Sequence, residues 1–151
     1  MPYQQPSFAT PEEAAMQGFP PEHCRVIALA TEGNDGVAVL DTGASGQPYL
    51  YAVAVWRENG RWFVGSGGNA LGWTLTDHDR ALGTLAAWDY APAGADRVRI
   101  AFRQELREVP VVDGAYLAAW WRLPLPEDEW PRPVSFRIAG EWTSAGVARQ
   151  G

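Results

Sequence analysis

Apolar and polar positions alternate with a period of two along much of the chain, which predicts a protein built mainly of β-strands. The clearest hairpin is centred on Asn59-Gly60, a residue pair preferred in type I′ turns. A two-residue turn there places Glu58 opposite Arg61 and Trp56 opposite Phe63, and both pairings favour that register. The strand before the turn is apolar on both faces, so we expect it to be covered on both sides.

A second hairpin is predicted nearer the start of the chain. The apolar residues 25–31 and 37–41 flank the turn cluster Gly33-Asn34-Asp35-Gly36. A helix over residues 22–30 is the alternative for the first run, because short apolar runs do not distinguish a strand from a buried helix.

A third hairpin is predicted around Asp113-Gly114, with arms over residues 106–112 and 115–122. Pro110 lies within the first arm and has no amide proton. We therefore expect this proline at a sheet edge or in a bulge, where the missing donor leaves no gap in the ladder.

One helix is predicted, close to the N-terminus. Thr10 suits the N-cap, Pro11 suits the first helical position, and Glu13 completes a capping box three residues after Thr10. Gly18 and the prolines after it end the helix within about two turns.

These elements predict a mainly β, sandwich-like fold of antiparallel sheets, with about eight or nine strands and one short N-terminal helix. The alternative is an α+β N-terminal half followed by a β-sandwich C-terminal half. The length of 151 residues suits a single domain over 1–151. The other arrangement has two subdomains, a helix with a β-meander over 1–76 and an immunoglobulin-like β-unit over 90–151.

Charge and composition restrict the partners. The net charge is −6, and all twelve basic residues are arginine. Phosphate binding requires a concentrated positive surface, so we expect no nucleic-acid partner. The absence of lysine excludes Schiff-base chemistry on a lysine side chain. We find neither a signal peptide nor an apolar run approaching about 18 residues, so we expect no membrane contact and a cytoplasmic location.

Eight tryptophans are available for burial or for recognition. Six of them lie in or beside predicted strands, and we expect these to form core and to cover sheets: Trp56, Trp62, Trp88, Trp120, Trp121 and Trp142. Trp73 and Trp130 lie in long polar connections, and they are the two candidate recognition residues.

The densest group of reactive side chains is Asp77-His78-Asp79, in a glycine-rich connection. Two carboxylates and an imidazole suit a cation or an oriented general base, whereas a capped turn with a solvated imidazole is the structural alternative. Ser66 would need His78 as its base, and its surroundings lack the Gly-x-Ser-x-Gly spacing. We therefore predict no catalytic residue, metal or other cofactor, and retain Asp77, His78 and Asp79 as ligand-binding candidates beside Trp73 and Trp130.

Several arginines on predicted strands would suit an anionic ligand. They are Arg97, Arg99, Arg103 and Arg107. The neighbouring Glu105 and Glu108 instead favour cross-strand ion pairs on a solvated face. Cys24 is the sole cysteine, which excludes a disulfide within the chain. It follows His23 and begins an apolar run, so we expect a buried thiol rather than a nucleophile.

Turn and core residues recur in a recognisable order: Gly33-Asn34-Asp35, Gln47-Pro48-Tyr49-Leu50-Tyr51, Gly60-Arg61-Trp62, Gly72-Trp73-Thr74, Arg107-Glu108-Val109-Pro110-Val111, Trp120-Trp121-Arg122 and Trp130-Pro131. This order resembles an uncharacterised protein family of GC-rich bacteria. The last sixty residues are similar to small immunoglobulin-like β-sandwich domains. The resemblance implies a bacterial origin and this architecture, and it assigns no activity and no functional residue.

The functional expectation is a non-catalytic binding or protein-interaction β-domain, whose partner is an unidentified protein or small-molecule ligand. It rests on the lack of a strong catalytic motif. One alternative is a small hydrolase or metal-dependent enzyme using the 66–79 connection. Another is a carbohydrate-binding module that uses exposed tryptophan. The sequence leaves the oligomeric state open.

Overall fold

The computed structural model contains three antiparallel β-sheets and two very short helices. It describes residues 5–43, 49–68, 74–76, 82–124 and 129–148. In chain order the elements are α1 (Pro11–Ala15), β1 (Arg25–Glu32), β2 (Asp35–Asp41), β3 (Leu50–Glu58), β4 (Arg61–Gly68), β5 (Thr74–Thr76), β6 (Leu82–Tyr90), β7 (Ala95–Phe102), β8 (Glu105–Pro110), β9 (Ala115–Pro124), β10 (Arg132–Ile138), β11 (Glu141–Ser144) and α2 (Ala145–Ala148).

Strands β1-β2-β3-β4 form the N-terminal sheet, β5-β6-β9 the middle sheet and β11-β10-β7-β8 the C-terminal sheet. The prediction of a mainly β fold of antiparallel sheets is confirmed. Two short strands, β5 and β11, bring the number above the expected value of about eight or nine. The sequence pattern did not predict α2, which is a single turn.

The middle sheet lies between the other two because β9 is apolar on both faces. Ala115 and Ala119 belong to the core shared with the N-terminal sheet. Tyr116, Ala118 and Trp120 belong to the core shared with the C-terminal sheet. Side chains on a strand alternate between its two faces, so β9 contributes to both cores, and β6 alternates in the same way.

Helix α1 covers the outer face of the N-terminal sheet. The Thr10 hydroxyl accepts a hydrogen bond from the Glu13 amide at 3.1 Å and donates to the Glu13 carboxylate at 3.2 Å, so Thr10 is confirmed as the N-cap. Ala14 and Ala15 are fully buried in a core that also holds Cys24. In the described part of the chain, neither helix has the length and apolar character needed to cross a bilayer.

Both hairpins of the N-terminal sheet are confirmed, including the predicted register at Asn59-Gly60. Asn59 and Gly60 both have positive φ, at 53° and 76°, as a type I′ turn requires. Trp56 stacks on Phe63 with the ring centroids 5.6 Å apart. The alternative helix over residues 22–30 is wrong, because residues 25–32 form β1 and pair with β2.

The predicted hairpin around Asp113-Gly114 is wrong beyond its turn. Val112 and Ala115 pair across the turn, but β8 then pairs with β7, and β9 pairs with β6. The polarity of the two arms explains the separation. Glu108 on β8 has ion-pair partners on β7, whereas β9 is apolar on both faces and can be fully covered only in the middle sheet.

The packing of Gly36 gives a stability prediction. A Cβ atom at this position in β2 would lie 2.8 Å from a methyl carbon of Val55 and 3.3 Å from one of Thr31. Gly36→Ala should therefore lower the free energy of unfolding by about 1–3 kcal/mol, the usual cost of overpacking a core. Urea denaturation measures this change.

Gly146→Ala is the matched control. Gly146 lies in α2, and nothing lies within 4 Å of its added Cβ. Alanine is the better helix former, so the control should leave stability unchanged or raise it slightly. An equal decrease in the free energy of unfolding in the two variants would contradict the close packing at Gly36.

Candidate functional site

A cavity of about 370 Å³ opens where one edge strand from each sheet meets the others. We call it the edge notch. Its lining is residues 27–30 of β1, 109–110 of β8, 115–117 of β9 and Val112 between β8 and β9. None of these residues carries a charge. The volume equals that of about a dozen water molecules and falls within the usual range for ligand pockets.

Pro110 lies in one wall of the notch. β8 pairs only with β7 among the described residues, so Pro110 is on an edge strand, as the sequence predicted. A proline at this edge removes a main-chain donor that another strand could otherwise use.

Ion pairs join the β1–β2 hairpin to β9 or to the turn before it, one near each end of the notch. At one end, Arg25 Nη1 lies 3.0 Å from a carboxylate oxygen of Asp113. At the other, Arg122 Nε lies 3.1 Å from a carboxylate oxygen of Asp35, which is only 7% exposed. β1, which forms one wall of the notch, and β9, which forms its floor, therefore run in the same direction.

The main chain of Leu117 is the polar feature of the notch floor. Ala115 exchanges two hydrogen bonds with Val112, at 2.8 and 3.0 Å, on the side of β9 that faces away from β6. On the same side, the guanidinium of Arg107 donates to the carbonyl oxygen of Ala119. Main-chain groups in an antiparallel ladder alternate in direction, so the Leu117 N–H and C=O also point away from β6.

Glu105 binds Arg107, the residue that donates a hydrogen bond to the Ala119 carbonyl oxygen. One carboxylate oxygen accepts from Arg107 Nε at 3.0 Å and the other from Trp120 Nε1 at 3.2 Å. The hydrogen bond from Trp120, followed by the effect of Arg107, lowers the pKa of Glu105 below its ordinary value. The Arg107 guanidinium also lies 4.4 Å from the centroid of the Trp120 ring.

A second, polar cavity of about 250 Å³ lies beside Asp41 and is lined in part by His23, Cys24 and Arg25. Asp41 accepts hydrogen bonds from the Gly43 and Tyr49 amides, at 3.0 and 3.2 Å. Burial and, second, the Asp41 carboxylate raise the pKa of the Cys24 thiol, so the unreactive protonated form is favoured. This supports the expectation of a buried thiol rather than a nucleophile.

Of the predicted ligand-binding residues, Trp73, Asp77, His78 and Asp79 lie outside the described residues. Trp130 is described and is 49% exposed. It follows Glu129, which accepts a hydrogen bond from the Arg103 amide at 3.0 Å, and it does not line the notch. Ser66 lies in β4, and its side chain is outside the described structure.

The arginine-rich face of the C-terminal sheet carries cross-strand contacts of the kind predicted. Arg97 lies 2.6 Å from Glu108, and Arg137 makes two hydrogen bonds to Asp96. The guanidinium of Arg99 lies 3.8 Å from the centroid of the Trp142 ring. These contacts favour a solvated structural face over an anion site.

No three potential metal-ligating side chains come together within the described ranges. No family model, curated protein or solved structure matches the chain. Sequence reasoning missed the edge notch, whose residues look like ordinary core and edge positions. The placement of Pro110 on an edge was the available signal, but it identified neither the opposite wall nor the floor.

The position of Glu105 gives a pH-dependent prediction. Its pKa is lower in the folded protein than in the unfolded chain, so its stabilisation is present above the ordinary glutamate range and is lost as the pH falls through the folded value. Glu105→Gln should lower the free energy of unfolding at about pH 7 by less than about 1 kcal/mol, because Glu105 is half exposed. The difference should disappear near pH 2.

Denaturant unfolding at both pH values measures this effect. Glu141→Gln is the matched control, since Glu141 is exposed and no described ion pair involves it. A pH-independent difference for Glu105→Gln, or the same pH dependence in both variants, would contradict the assigned role.

Proposed function

We propose that the protein is a non-catalytic binding domain that holds an uncharged, largely apolar ligand in the edge notch. One combined observation carries this proposal. The lining of the notch is uncharged, and the N–H and C=O of Leu117 in its floor point away from β6. Pockets of this type obtain affinity from apolar area and orientation from a few polar groups.

The ligand class follows from the energetic cost of burial. Each methylene group removed from water contributes about 0.8 kcal/mol, whereas an unpaired charge buried in the notch would cost several kcal/mol. Arg25 and Arg107, which lie two residues before lining residues of β1 and β8, already contact Asp113 and Glu105. The lining therefore favours a neutral ligand.

We infer a cytoplasmic location for this binding, because a single free thiol such as Cys24 stays reduced there. The immunoglobulin-like architecture of the C-terminal part remains a proposal and names no ligand. The carbohydrate-binding alternative has one supporting observation, the exposed ring of Trp130. The hydrolase alternative depends on His78 and its neighbours, which lie outside the described residues.

A homologous series of straight-chain primary alcohols tests the ligand class. Affinity should increase by about fourfold for each added methylene, and should level off once the chain fills about 370 Å³. Chemical-shift titration of the ¹⁵N-labelled protein measures affinity and locates binding. The largest changes in chemical shift should occur at the main-chain amides of Ala28, Ala30, Val109 and Leu117.

Val112→Trp should fill the notch and weaken alcohol binding by at least about tenfold, which corresponds to about 1.4 kcal/mol. Leu106→Trp is the matched control, because Leu106 is 59% exposed on β8 and does not line the notch. If alcohols do not bind, or if both variants bind alike, the edge notch is not the site. Shifts at Trp130 on adding neutral oligosaccharides, without alcohol binding, would favour the carbohydrate alternative.

A further inference from the structure

The two outer sheets have four strands each in the described residues, whereas the middle sheet has three. The edge notch lies beside β9, where a further strand of the middle sheet would lie, with β1 on one side and β8 on the other. We propose that a short, uncharged, extended segment of another polypeptide binds here and pairs with β9 at Leu117. This inference rests on the proposed function and names its ligand class.

Main-chain hydrogen bonding supports a peptide over other apolar molecules. The Leu117 N–H and C=O point away from β6 as an adjacent donor and acceptor, and β9 has no strand partner at Leu117 on that side among the described residues. An extended peptide supplies a matching acceptor and donor in the same spacing. A hydrocarbon would leave both groups without a partner.

The length of the segment is limited on both sides of Leu117. Val112 already pairs with Ala115, and Arg107 already donates to Ala119. The open stretch from Ala115 to Ala119 is about 13 Å long at the usual rise of a strand. The paired part of the segment is therefore about three to five residues.

Charge complementarity sets the composition of the segment. The notch lining has no charged side chain, and the flanking charges already contact each other as Arg25–Asp113 and Glu105–Arg107. A strand added to β9 would face the N-terminal sheet with one set of side chains and the C-terminal sheet with the other. Both sets should therefore be apolar, unlike the alternating pattern of a half-exposed strand.

The test uses the capped peptide acetyl-Ser-Val-Ala-Val-Ala-Ser-amide and two N-methylated isomers. Each isomer has methyl groups on alternate residues, so each blocks a different edge of the extended chain. Because β9 pairs with one edge, one isomer should bind about tenfold or more weakly than the parent, and the other within about twofold. A peptide with Lys in place of its first Val should also bind much more weakly.

Hydrogen exchange at Leu117 reports the pairing directly. With saturating parent peptide, the Leu117 amide should exchange at least about tenfold more slowly. Its signal in leucine-labelled protein is assigned by its loss in Leu117→Val. Val112→Trp should abolish peptide binding, and Leu106→Trp should retain it.

The outcomes separate this inference from the proposed function. Alcohol binding without peptide binding, or equal binding of both N-methylated isomers, overturns strand pairing and leaves an apolar ligand site. If neither alcohols nor the peptide bind, both proposals fail. Strong discrimination between the isomers together with protection of Leu117 supports the pairing.

Discussion

Burial of β6 and β9 on both faces is the constraint on which the rest of the structure depends. Trp88 packs toward the N-terminal sheet, whereas Tyr116 and Trp120 pack toward the C-terminal sheet. Full burial of each large side chain contributes about 1.5–3 kcal/mol, and only a strand with covers on both sides obtains this contribution at every position. The two outer sheets therefore each bury one face of the middle sheet.

The same constraint produces the notch. The edge strands β1 and β8 of the two outer sheets form its walls, and β9, the edge strand of the middle sheet, forms its floor. Two other edges, those of β4 and β8, are protected by specific residues. Phe8 exchanges main-chain hydrogen bonds of 2.8 Å with Trp62 on β4, and Pro110 removes a donor from β8. On β9, the open position at Leu117 lies between Ala115, which pairs with Val112, and Ala119, whose carbonyl oxygen accepts from Arg107.

Local chemistry made much of the N-terminal sheet predictable. The Asn59-Gly60 turn specifies its conformation through positive φ angles, and its two residues then set the pairs from Glu58–Arg61 to Val55–Val64, beyond which a bulge shifts the register. The N-cap at Thr10 is local in the same sense. Asp113-Gly114 is an equally clear turn signal. However, the strands on either side of it, β8 and β9, pair with β7 and β6, and the turn itself does not specify those partners.

The candidate site was harder to predict for the same reason. Its walls come from segments separated by about eighty residues, and each residue is an ordinary aliphatic or small side chain. Sequence reasoning looks for charged, aromatic or nucleophilic groups, and it therefore selected Trp73, Asp77, His78, Asp79 and Trp130. A site formed by main-chain direction and sheet edges has no such residue types, so it becomes visible only when strand order is known.

The separation of β8 from β9 also affects the order in which the chain can fold. The N-terminal sheet can form from consecutive hairpins, but its inner face is completely covered only when both β6 and β9 pack on it. During synthesis from the N-terminus, about fifty residues separate the end of β4 from the start of β9, including all of β6, β7 and β8, so the cover of this apolar surface stays incomplete over that interval. Pairing between strands far apart in sequence forms more slowly than pairing within a hairpin, so we expect β9 to complete the cover of this face after the N-terminal hairpins have formed.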